Sequence, residues 1–124
     1  MAERSEMKAK FVPSKDVAET EYPDLTVGRV YPVIGIEADD YRILNDEGQP
    51  YLYAHELFVV IDAQEPVNWE TEYGEEGERY AYPPELNEPG FFEDYFDGKT
   101  EAIVTFHRYL QRRSARRQLL AESL

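Results

Sequence analysis

The sequence predicts a mainly β protein of α+β type: one domain, with a small five-stranded barrel followed by two C-terminal helices packed on it. Three observations predict it. Between Leu25 and Asp62, apolar and β-branched runs are interrupted at short intervals by turn residues, as in the short strands of a closed sheet. After Ala63 this pattern gives way to an acidic stretch carrying Pro and Gly, and then to apolar residues at helical spacing. Ten Tyr and six Phe in 124 residues are enough large apolar surface for one packed core with an appendage.

Lys8-Ala9-Lys10-Phe11-Val12 alternates polar and apolar residues and reads as the first strand, which Pro13 ends or confines to an edge. Ser14 to Asp24 reads as a long polar surface loop. Leu25 to Gly28 leads into the strongest strand, Arg29 to Ile36, where Val30, Tyr31, Val33, Ile34 and Ile36 favour β structure. Within it Pro32 points to an edge or a bulge, and Gly35 to a bend. Asp39-Asp40 is a turn, and Tyr41 to Leu44 is the next strand. Asn45-Asp46-Glu47-Gly48 is a hairpin turn in which Gly48 takes a positive φ. Tyr51-Leu52-Tyr53 returns, Ala54 to Leu57 forms one 3₁₀ turn, and Phe58 to Ile61 closes the sheet.

That order of elements resembles an SH3-like small barrel. The stretches Leu-Thr-Val-Gly-Arg-Val-Tyr-Pro-Val, Asp-Tyr-Arg-Ile-Leu-Asn-Asp-Glu-Gly and Tyr-Leu-Tyr-Ala-His-Glu-Leu-Phe resemble small uncharacterised bacterial and phage-borne proteins of that type. The resemblance covers about residues 7–62. It implies the barrel and no catalytic residue, and the SH3-like superfold hosts many unrelated roles.

Residues 63–98 read as an acidic, aromatic connector. Glu72 to Glu78 is an acidic loop with two glycines, and Arg79 to Leu86 is extended, because each proline disfavours helix in the residue before it. Phe92, Tyr95 and Phe96 stand at i, i+3 and i+4, which predicts a short amphipathic helix over Phe91 to Phe96, ended by Asp97-Gly98. A final helix spans 99–120, starting at Lys99 or Thr100, with regular structure to Arg117 or Leu120 and fraying beyond. Thr100 can cap it, and Ile103, Phe106, Tyr109 or Leu110, and Arg113 trace one face. Arg108, Arg112, Arg113, Arg116 and Arg117 suit the negative end of the helix dipole.

The net charge of −13 is unevenly spread. Residues 1–20 are neutral, 21–60 carry −6, 61–101 carry −11, and 102–124 carry +4. Such a body repels a phosphate backbone, so general nucleic-acid binding is not expected, and a basic partner is. No cysteine is present, which removes disulfides, thiolate catalysis and Cys-ligated zinc. The N-terminal Met-Ala-Glu-Arg-Ser-Glu-Met-Lys lacks the apolar run of a signal peptide, and no apolar stretch is long enough for a membrane span. A cytoplasmic location is expected.

No catalytic, cofactor or metal residue is assigned from the sequence. His55 and His107 are 52 positions apart, and neither has the spacing of a metal motif. The acid pairs Asp39/Asp40, Glu75/Glu76 and Glu93/Asp94 arise from composition alone in so acidic a chain. No phosphate-binding glycine loop or nucleophile elbow occurs. Tyr31, Tyr41, Tyr51, Tyr53, Trp69, Tyr73, Tyr80 and Tyr82 crowd the barrel region. They read as core and as anchors for the C-terminal half, or else as a peptide groove that Tyr82-Pro83-Pro84-Glu85-Leu86 fills in cis.

The functional expectation is a non-enzymatic bacterial binding protein, in its most concrete form an acidic antagonist or immunity-type protein that covers a basic surface. Asp39, Asp40, Trp69, Glu70, Glu72, Glu75, Glu76, Glu78, Tyr80 and Tyr82 are the candidate contact residues. The second expectation is a self-associating module, a homodimer joined through Phe106, Leu110 and the Arg-rich end. The third is a sensor or enzyme using a cleft near His55 or His107.

Overall fold

The computed structural model describes residues 6–15 and 21–122, with side chains as far as residue 115. In chain order the elements are β1 Lys8–Phe11, β2 Val30–Glu37, β3 Asp40–Leu44, β4 Pro50–Tyr53, a 3₁₀ turn at His55–Leu57, and β5 Phe58–Asp62. Then come β6 Glu70–Tyr73, β7 Arg79–Tyr82, a second 3₁₀ turn at Pro84–Leu86, α1 Phe91–Phe96 and α2 Thr100–Glu122. The expected loop over Ser14 to Asp24 lies outside the described residues at 16–20, as do the last two residues of the expected frayed end.

All strand pairs are antiparallel, and the main path through the sheet is β4-β3-β2-β1-β5. Where a five-stranded barrel is expected, the described residues form an open seven-stranded sheet: β4 and β5 end that path, and no pairing joins them among the described residues. The two additional strands form the β6–β7 hairpin, which reaches β2 through Ile36 opposite Ala81. Of the acidic loop expected at 72–78, residues 74–78 form the hairpin turn, while Glu72 and Tyr73 belong to β6 instead. Every residue of β6 is exposed, so Glu70-Thr71-Glu72-Tyr73 carries no buried apolar alternation to announce a strand. Its turn is closed by Gly77 N–H on Gly74 O at 3.0 Å, with Gly77 at φ 82°.

β2 is the hub. It pairs with β1 through Val30, Tyr31 and Pro32, then takes up β3 from Val33 onward. Pro32 therefore stands where one partner gives way to the other, where a missing N–H costs least. A register shift between Val33 and Gly35 is the irregularity expected there. Gly35 is also required sterically, since a Cβ at that position would overlap the Tyr82 ring.

Because side chains alternate across a strand, β2 and β7 each serve two cores. Tyr31, Val33 and Ile36 of β2 and Ala81 of β7 face the first core, with Phe11, Ile43 and Phe58. Ile34 of β2 and Tyr82 of β7 face the second core, with Leu86, Phe92 and Phe106. Thus α1, α2 and the second 3₁₀ turn cover the back of β2 and β7. Tyr82-Pro83-Pro84-Glu85-Leu86 does not lie along a groove; Tyr82, Pro83 and Leu86 are buried, and Leu86 and Tyr82 belong to the second core.

The basic helix pairs with its own body. Arg112 meets Glu85 at 2.5 Å, and Arg113 meets Glu6 at the foot of β1. Partly exposed pairs of this kind orient the helix more than they stabilise it. No helix among the described residues is long and apolar enough to cross a membrane.

Burial holds the Tyr82 and Tyr109 phenols above their ordinary pKa, Tyr109 to about 12. In the unfolded chain a tyrosine ionises near 10. Above that pH the unfolded state binds fewer protons than the folded one. Stability should therefore be independent of these groups below about pH 10 and fall as pH rises beyond it. Absorbance at 295 nm and circular dichroism, followed together, check this. The buried tyrosines should ionise only as the β signal is lost. Full ionisation near pH 10 with the fold intact would contradict it.

Candidate functional site

A cleft of about 350 Å³ opens between the sheet and α1. Its floor is Arg42 of β3, with Phe91 and Phe92 of α1, and its sheet side is Tyr80 and Tyr82 of β7. Four carboxylates surround it: Glu37 at the end of β2, Glu72 of β6, Glu88 before α1, and Glu93 in α1. The alternation of β6 and β7 explains the grouping. Glu72 lies opposite Tyr80 and Glu70 opposite Tyr82, so all four share one face of the hairpin.

Arg42 is almost wholly buried and fully engaged. Its Nε donates to the Tyr82 hydroxyl at 3.0 Å, and its two terminal nitrogens donate to Pro50 O at 3.1 Å and Glu37 Oε1 at 3.0 Å. The guanidinium stacks over the Phe92 ring at 4.0 Å from its centroid. The Tyr82 hydroxyl in turn donates to Glu37 Oε1 at 3.0 Å. The one cation of the cleft is therefore committed to holding strands and helix together, and the surrounding carboxylates set the sign of the charge facing solvent. Chemically, the cleft offers hydrogen-bond acceptors and negative charge against aromatic walls, a setting for an ammonium or guanidinium group.

The ten candidate residues fall into separate groups. Glu72, Tyr80 and Tyr82 line the cleft. Glu70 borders it and accepts a hydrogen bond from Asn87 Nδ2 at 3.0 Å, which fixes one lining residue. Tyr82 is corrected from a surface contact to a core residue, because its ring is buried on Gly35 and Phe92. Trp69 is half-buried against the first core. Glu75 and Glu76 are exposed at the β6–β7 turn, while Glu78 folds back to accept the Glu76 N–H at 3.1 Å. Asp39 has φ 70° and accepts the Arg79 N–H at 3.0 Å, so it ties the β2–β3 turn to β7.

Asp40 belongs to a different cluster. Its Oδ1 lies 2.9 Å from His55 Nδ1 and accepts the His55 backbone N–H at 3.0 Å. Glu56 Oε1 lies 3.2 Å from His55 Nε2 on the other side of the ring. The Asp40 hydrogen bond raises the His55 pKa against partial desolvation, helped by the charges of Glu56, Asp40 and Asp39. Neither histidine lines the cleft.

Sequence reasoning missed Glu37, Arg42, Glu88 and Glu93. The one readable signal was Arg42 itself, a cation inside the alternating run Tyr41 to Leu44 next to the core position Ile43. No family model, curated protein or solved structure matches the chain.

Proposed function

We propose that this chain is a non-enzymatic binding protein whose acidic cleft receives a lysine or arginine side chain from a basic protein partner. The observation that carries the reading is the convergence of Glu37, Glu72, Glu88 and Glu93 on one ligand-sized cleft in a protein of net charge −13. The surrounding field would speed encounter with a cationic surface and make binding salt-sensitive. An antagonist of the immunity type, masking such a surface, is the form this takes. The strand path β4-β3-β2-β1-β5, with a 3₁₀ turn between β4 and β5, supports an SH3-like scaffold beneath the site.

Self-association through α2 is the weaker reading, because the face named for it is already in use. Phe106 is fully buried in the second core and Leu110 packs against the same cluster.

The test separates the cleft from the general charge. An arginine-rich peptide is titrated by calorimetry at low and high salt against two charge-matched double variants. Glu72→Lys with Glu88→Lys should weaken binding about tenfold or more, while Glu75→Lys with Glu76→Lys at the hairpin tip should cost clearly less. Equal losses from both would leave only non-specific attraction and remove the cleft from the argument.

A further inference from the structure

We propose that His55, with Glu56 beside its outer nitrogen and Asp40 behind it, is a binding site for a first-row divalent cation such as zinc. The site is independent of the cleft and shares no residue with it.

The geometry of the pair carries the argument. Zinc bonds to imidazole nitrogen and carboxylate oxygen are about 2.0–2.2 Å long, so two adjacent ligand atoms on one ion stand roughly 2.9–3.4 Å apart. His55 Nε2 and Glu56 Oε1 are 3.2 Å apart and fall within that span. The ligand atoms of Asp40, His55 and Glu56 all lie within 4.8 Å of one another. Asp40 cannot share an ion bound at Nε2, because it occupies the opposite ring nitrogen. Its role is to position. With Nδ1 protonated and donating to Asp40 at 2.9 Å, the ring presents the Nε2 lone pair outward, an arrangement common behind metal-bound histidines.

Two further contacts hold this orientation. The His55 backbone N–H also binds Asp40 at 3.0 Å, which locks the 3₁₀ turn to the start of β3. The Tyr41 ring stands edge-on to the imidazole, with centroids 6.2 Å apart. His55 and Glu56 follow one another on that turn, and both reach solvent, so an ion has access and water can complete its shell. An imidazole donor favours zinc, copper or nickel over magnesium or calcium.

The chain supplies its own control in His107, which is exposed on α2. The imidazole signals of the full chain are followed by NMR at neutral pH while zinc chloride is added, with magnesium chloride at matched ionic strength in a parallel series. The His55 signals should respond at zinc concentrations about tenfold or more below those that move His107, and magnesium should move neither. His55→Gln should abolish the tight phase. Asp40→Asn should weaken it about tenfold with Nε2 still available. Glu56→Gln, an exposed change that leaves the fold alone, should weaken it as well and stands in if Asp40→Asn does not fold. If His55 and His107 respond together, if magnesium acts as zinc does, or if the carboxylate variants bind unchanged, the proposal fails. His55 is then an ion-paired histidinium only.

Discussion

Phe106→Ala is expected to cost about 3–5 kcal/mol of stability, a large share of what a domain of this size possesses. Phe106 has no solvent exposure and sits at the centre of the second core. Its ring lies 5.0 Å from Tyr95, 6.0 Å from Tyr109 and 6.3 Å from Phe92, centroid to centroid. No small movement fills the space it would leave, because Ile34 and Leu86 of the same cluster are themselves fully buried. The loss shows in the urea midpoint and in the helical signal, since Phe106 is the main anchor of α2. Val104→Ala, on a partly exposed position of the same helix, is the control and should cost under about 1 kcal/mol. A Phe106 variant as stable as that control would mean that α2 does not pack here, and would return the helix face to a role in self-association.

Arg42→Ala is the second large effect, about 3 kcal/mol by equilibrium urea unfolding. The substitution deprives the Tyr82 hydroxyl, Pro50 O and Glu37 of donors and removes the guanidinium from the face of Phe92. Glu37 is partly exposed and regains water, which keeps the cost below that of a fully buried pair. Arg42→Lys should recover less than half, because a single ammonium cannot reach three acceptors set around a planar fork. Both variants should also impair the cleft, whose floor is Arg42. A lysine variant of full stability would show that charge alone, rather than the fork, holds α1 to the sheet.

Much of the fold was legible in local patterns. β1 to β5 and both helices fall close to the segments that announced them, by alternation in β1, by β-branched and aromatic runs between turn residues in β2 to β5, and by helical spacing in α1 and α2. The β6–β7 hairpin was not legible. Glu70 to Tyr73 buries nothing, and it is a strand only because β7 gives it a partner and β2 gives β7 one. The cleft was partly legible: Glu72, Tyr80 and Tyr82 stood out by charge and aromatic content, but Glu37, Glu88 and Glu93 look like any other acids of an acidic chain. The His55 cluster was legible only in part: Glu56 follows His55 in the chain, but Asp40 lies 15 positions away and no spacing rule joins it to them.

By itself, then, the sequence determined the β-rich class, the position of most strands, the two C-terminal helices and the sign of the protein's field. These follow from local steric preference, side-chain periodicity and summed charge, all of which act along the chain. The tertiary structure alone decided that the sheet is open and seven-stranded, that Tyr82 is core, that Arg42 joins strand to helix, and which carboxylates face one another. Those outcomes depend on pairing between segments tens of residues apart. A buried hydrogen bond or a shared cleft selects its partners by distance in space, and one sequence read alone contains no record of that distance.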